Sequence, residues 1–66
     1  MTRDEKLVLE EIKRLGWSAN AVLVSRRMNL NPVDYVDLLC KRLRAQGYLE
    51  RVPGGRYPVY RIPEKE

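Results

Sequence analysis

The sequence predicts a small α+β domain, mainly helical, and three observations carry that prediction. Between Arg3 and Gln46, three stretches repeat apolar residues at helical spacing, separated by Gly16 and by Asn29-Leu30-Asn31-Pro32. After Gly47 the period changes, and residues 48–52 and 57–62 are rich in β-branched and aromatic side chains. Pro53-Gly54-Gly55-Arg56 lies between them and suits the tight turn of a hairpin. At 66 residues there is room for one core, so a single domain is expected over residues 1–62, followed by a charged tail at 63–66 that reads as an end.

Each element has its own local warrant. Thr2 with Glu5 three residues later forms a capping-box pattern, and Asp4 and Glu5 suit the positive end of a helix dipole. Val8, Ile12 and Leu15 then mark a buried stripe and Gly16 a stop, which predicts a helix over residues 3–15 with Leu7 and Leu9 on its flanks. Trp17-Ser18 is too short for an independent strand but can pair at the edge of a later hairpin. Asn20 or Ser18 can cap a second helix that holds Ala21, Val24, Ser25 and Met28 on one face and Leu23, Arg26 and Arg27 on the other.

Asn29 suits a left-handed stop, Leu30 plugs the corner, Asn31 is a strong N-cap and Pro32 fits the first helical position. The third helix is expected over residues 32–46, with Tyr35, Val36, Leu39 and Leu43 inward and Val33, Asp34, Asp37, Lys41 and Arg44 outward. Pro53 then Gly54 suits the centre of a type II turn. Pro58 cannot donate to a ladder, so its strand is either an edge or leaves that residue unpaired.

Composition excludes several function classes. The chain has no histidine and one cysteine, which removes imidazole chemistry, an intramolecular disulfide and cysteine-rich metal sites. No nucleophile with a base and an orienting group can be assembled, so neither catalysis nor a cofactor is expected. Gly54-Gly55 resembles a phosphate loop only superficially, because no Lys-Ser/Thr at a helix start follows it. No apolar run approaches the ~18 residues of a membrane span, and a reducing cytoplasmic setting is expected. Cys40 falls on the flank of the third helix as a half-buried structural thiol, with Lys41 and Arg42 placed to lower its pKa.

The net charge of +4 is uneven. Residues 1–16 carry four bases and four acids, whereas the excess sits on Arg26, Arg27, the end of the third helix and the segment after it. Such a balance permits nucleic-acid binding.

The order helix, helix, tight turn, helix, hairpin resembles the winged helix-turn-helix family from Asn20 to Ile62. The resemblance rests on Val24-Ser25-Arg26-Arg27-Met28-Asn29-Leu30-Asn31, on Tyr35, Leu39 and Leu43, on the exit Gly47-Tyr48-Leu49-Glu50-Arg51, and on Gly54-Gly55-Arg56-Tyr57-Pro58-Val59-Tyr60-Arg61. It implies three helices followed by a two-stranded hairpin wing, and a regulator whose third helix enters the major groove of double-stranded DNA. Carried over by position, Asn31, Val33, Asp34, Asp37 and Lys41 would face base edges and phosphates, with Arg44 farther along that helix. Arg26 and Arg27 would lie near the backbone, and Arg56 and Tyr57 in the wing. A dimer is expected because one such helix reads few base pairs, with the first helix, through Leu7 or Leu9, as its surface.

Asp34 and Asp37 depart from that pattern, since two acids in a phosphate-lined groove are electrostatically unfavourable. One acid is compatible with reading cytosine N4. Asp34 also suits the helix dipole and Asp37 an i,i+4 pair with Lys41, a purely structural alternative. The acids also favour a rival function, a protein-interaction adaptor using Leu23, Val33, Asp34, Asp37 and Leu38. Among the aromatics, Tyr57 is the best candidate for base stacking, while most of the others are expected in the core or sheet.

Overall fold

A computed structural model of the chain describes residues 1–30 and 32–63. The order is α1 (Arg3–Arg14), β1 (Ser18–Asn20), α2 (Ala21–Met28), α3 (Val33–Ala45), β2 (Glu50–Val52) and β3 (Val59–Arg61). The class is α+β and mainly α, but the expected two-stranded hairpin is corrected to a three-stranded antiparallel sheet in the order β1-β3-β2. The Trp17-Ser18 corner supplies the third strand by extending through Ala19 and Asn20. No helix among the described residues is long and apolar enough to cross a membrane.

Capping fixes where the helices begin. At α1 the Glu5 N–H donates to Thr2 Oγ1 at 3.2 Å and the Thr2 N–H donates to Glu5 Oε1 at 2.9 Å, a complete capping box. The expected effect of Thr2→Ala is a loss of about 1 kcal/mol, measurable as a lower urea midpoint with an unchanged slope. Of the two caps open for α2, Asn20 is the one used, its Oδ1 accepting from the Leu23 N–H at 2.9 Å. At α3 the helix starts one residue later than expected, with Pro32 as a cap that makes no side-chain bond. The cap assigned to Asn31 lies outside the described residues.

All three helices end in the same way. Gly16, Asn29 and Gly47 take positive φ, and the next residue sends its N–H back five residues: Trp17 to Ile12, Leu30 to Ser25 and Tyr48 to Leu43. The preceding N–H groups of Gly16, Asn29 and Gly47 reach Lys13, Arg26 and Arg44, which completes a Schellman pattern each time. The Ser25 hydroxyl donates to the Leu30 carbonyl, so the turn between α2 and α3 is closed by two bonds from one residue pair.

The sheet is centred on Tyr60, which pairs with Ala19 on β1 and Arg51 on β2. Because side chains alternate across a strand, Ala19, Tyr60 and the stem of Arg51 share the face toward the helices. On the other face Val52 opposes Val59, and Glu50 opposes Arg61 in a 2.9 Å ion pair. β3 is therefore the central strand, and Pro58 sits just before it, where its missing N–H costs no ladder bond. The β2–β3 connection runs over residues 53–58, longer than the expected four-residue turn, and Gly54 (φ 147) and Gly55 (φ 66) both take positive φ. A type II turn would need only Gly54 there, near +80°.

Val8 and Ile12 from α1, Val24 from α2, Val36, Leu39 and Leu43 from α3, then Leu49 and Tyr60 form one buried cluster. Two acids lie at its margin as inter-helix ties. Buried Glu5 stands 3.8 Å from Arg42 and accepts from Gln46 on or beside α3, while buried Glu11 holds Arg14 at 3.0 Å and Arg27 of α2 at 3.7 Å. The Thr2 N–H, first among several causes, holds the Glu5 carboxyl below its usual range, so its contribution to stability is present above pH 4.5 and lost as the pH falls through the lowered value.

Cys40 corrects the expectation of a half-buried thiol. It is fully buried, and burial followed by the negative charge of Asp37 pushes its pKa up to about 12 rather than down. The folded state therefore keeps a proton that the unfolded chain releases near pH 9, so stability falls as the pH rises between about 9 and 12. Two outcomes are expected. A thiol reagent at neutral pH should label Cys40 only in unfolded protein, and Cys40→Ala should flatten part of the alkaline loss in denaturation curves.

Candidate nucleic-acid interface

The outward side of α3 and the residue 53–58 loop form the charged region to which the sequence pointed. Asp34, Leu38, Lys41 and Arg44 are exposed on α3, Arg26 and Arg27 on α2, and Arg56 in the loop. Val33 is only partly outward, being half-buried against the core cluster. The position assigned to Asn31 lies outside the described residues.

Asp37 requires correction as an outward residue. Its side chain is only 13% exposed, Oδ2 lies 3.4 Å from Lys41 Nζ, and Oδ1 is buried without a hydrogen-bond partner among the described residues. Helix geometry explains the shift: Asp37 stands about 100° from buried Val36 and about 60° from buried Cys40, so it borders the buried face of α3. Its charge is felt by Tyr57, Tyr60 and Cys40 alike.

Asp34 is exposed but occupied. The Tyr57 hydroxyl donates to Asp34 Oδ1 at 2.9 Å, tying the loop to the first turn of α3, and the Arg56 guanidinium lies 5.8 Å from the Tyr57 ring. That bond to Asp34 is the main reason the Tyr57 phenol titrates above its ordinary value, so it keeps its proton at neutral pH. A Tyr57 held this way is a hydrogen-bond donor to α3 before it is a free stacking surface.

The acids of the described residues are all engaged. Asp4 accepts from the Tyr35 hydroxyl, Glu10 pairs with Lys13, Glu50 pairs with Arg61, and Glu5, Glu11, Asp34 and Asp37 have the partners given above. Among the described bases, Arg3, Lys6, Arg26, Arg44, Arg51 and Arg56 have no acid within 4.0 Å. Four of those stand on α2, α3, β2 and the loop. Arg27, in contrast, is drawn toward Glu11 on α1.

Arg51, named in the sequence only as part of the exit from the third helix, is absent from the contact residues expected there. Burial is the first reason that the Tyr60 pKa is raised, and the positive charges of both Arg51 and Arg44 act on its hydroxyl in the opposite direction. Arg51 is paired with Tyr60 across the β2–β3 ladder, and Arg44 follows buried Leu43, which shares the core cluster with Tyr60. The signal was available: Leu49 is buried, so a period of two puts Arg51 on the helix-facing side with its charged head reaching past the sheet edge.

On the α1 side, Leu9, Lys13, Trp17, Tyr48, Ile62 and Pro63 line an open groove of about 1030 Å³. Trp17 is 55% exposed although its backbone takes φ 73, with Lys13 Nζ 6.0 Å from the ring. Leu7 is also exposed but lies on the opposite flank of α1, about 160° from Leu9. No group of three or more potential metal ligands occurs among the described residues.

Comparison of the chain with protein-family models, curated proteins and solved structures finds no match.

Proposed function

We propose that the chain is a winged helix-turn-helix DNA-binding protein acting as a regulator, with α3 in the major groove and the residue 53–58 loop as a short wing on the backbone or minor groove. The observation that carries this reading is the asymmetry of pairing: the described acids are engaged, while Arg26, Arg44, Arg51 and Arg56 are left available for phosphates. The objection raised by two acids on α3 weakens accordingly. Asp37 is largely covered and paired with Lys41, and Asp34 is held by Tyr57, so the groove would meet less bare negative charge than the sequence suggests.

The test is a titration with duplex DNA at two salt concentrations, followed through amide shifts. The expected result is perturbation at Lys41, Arg44, Arg51 and Arg56 that weakens steeply with salt; unmoved resonances at low salt would rule the reading out.

The adaptor reading keeps one observation of its own, the exposure of Leu23 and Leu38 at 41% and 47%. Under it, Leu23→Asp should abolish capture of a protein partner while the fold survives. A homodimer belongs to the DNA reading, and Leu9 is better placed for it than Leu7 because it borders the groove with Trp17 and Tyr48. Sedimentation at tens of micromolar that finds only monomer, with and without DNA, would remove the dimer.

A further inference from the structure

We propose that Asp34, positioned by Tyr57, is the specificity-determining residue of the interface and reads the N4 amino group of a cytosine in the major groove; this inference rests on the DNA-binding reading. It begins from the 2.9 Å bond in which the Tyr57 hydroxyl donates its only proton to Asp34 Oδ1. A phenol that has committed its proton, joined to an ionised carboxylate, has only lone pairs left to offer. The pair is an acceptor-only surface, with Asp34 Oδ2 making no hydrogen bond among the described residues.

The pair stands where a base edge would arrive. Asp34 is exposed in the first turn of α3, the part of a recognition helix that meets base edges, and Tyr57 reaches it from the wing. Arg56, 5.8 Å from the Tyr57 ring, puts a positive charge at the wing end of the pair, which offsets part of the repulsion by the phosphates. Neighbouring α3 side chains offer no competing reader of this kind: Asp37 is turned in toward Lys41, and Val33 is half-buried.

An acceptor-only surface selects among bases by elimination. Guanine presents N7 and O6 and thymine presents O4, all acceptors, so both are repelled. Adenine has a donor at N6 but an acceptor at N7 beside it. Cytosine offers the N4 donor with no acceptor on its own major-groove edge, and it is the base the pair fits. Tyr57 is a positioning residue: its bond holds Oδ1 and so fixes the direction in which Oδ2 faces.

Selection from a duplex library with a randomised half-site, followed by affinities for the selected site and its single-base variants, tests the proposal. For the wild-type chain, one position should require cytosine, and replacing it should weaken binding roughly 5- to 150-fold. Asp34→Asn should lose that requirement and move toward adenine, which an amide can meet at both N6 and N7, while affinity for unrelated duplex is kept or raised. Tyr57→Phe keeps the ring over which Arg56 lies and should stay folded, and the ratio of its affinity for the cytosine site to that for the single-base variants should fall at the same position, whatever the change in affinity for unrelated duplex. Salt-dependent binding without a cytosine preference, or a preference that survives Asp34→Asn, overturns this proposal and leaves DNA binding standing. A preference that survives Tyr57→Phe overturns the positioning role. If no variant binds duplex at low salt, the DNA reading and this proposal fall together.

Discussion

Tyr60→Ala is expected to leave little folded protein at room temperature. Tyr60 is the largest of the fully buried side chains, 1% exposed, and it stands at the centre of the middle strand, between Ala19 and Arg51. Removing a buried aromatic ring to alanine costs about 3–5 kcal/mol through lost transfer energy and the cavity left behind. A domain of this length has about 3–10 kcal/mol in total at the usual 0.05–0.15 kcal/mol per residue. Ala19 opposite cannot refill the space, because it presents a single methyl group. Tyr60→Phe separates ring from hydroxyl and should stay folded. The check is a thermal melt of both variants by circular dichroism: loss of the transition in Tyr60→Ala and its retention in Tyr60→Phe.

The second large effect is on binding. Arg44→Ala with Arg51→Ala is expected to lower affinity for duplex DNA by roughly 100-fold at 0.1 M salt, since each phosphate contact contributes about tenfold there. Both residues are exposed and neither has an acid within 4.0 Å among the described residues, so the double variant should melt within about 0.5 kcal/mol of the parent. The loss should be the same for every duplex sequence, because phosphate contacts carry no sequence information. Fluorescence anisotropy against two unrelated duplexes checks both the size and the uniformity. Retained affinity would place the contact surface elsewhere on the molecule.

Local chemistry explains which parts of this fold were legible in the sequence. Helix stops at Gly16, Asn29 and Gly47 and the capping box at Thr2 and Glu5 depend on residues within five positions of one another, and such signals survive folding unchanged. The sheet was legible only in part, because Ser18, Ala19 and Asn20 carry no strand signature and become a strand only when β3 arrives from forty residues away. Pro58 left two readings open, and the central place of β3 with Pro58 outside it closes that choice.

Side-chain partners were harder still. Asp37 and Cys40 sit at the margin of the helical stripe read from the sequence, and spacing along one helix does not say how far its partners cover that margin; in the fold both are covered. The Tyr57–Asp34 bond spans 23 residues and joins two elements, so no spacing rule on one element could have found it. Arg51 was legible by alternation from Leu49, but its place opposite Tyr60 depends on the β2–β3 register.

The most direct test of DNA binding through α3 and the wing is the salt dependence of affinity for a duplex of about 20 base pairs. With Arg26, Arg44, Arg51 and Arg56 on phosphates, log K against log salt should fall with a slope of about −3.6, and the Arg44→Ala/Arg51→Ala variant should be shallower by about 1.8. A flat dependence, or no binding at 50 mM salt where such contacts are strong, would contradict the account.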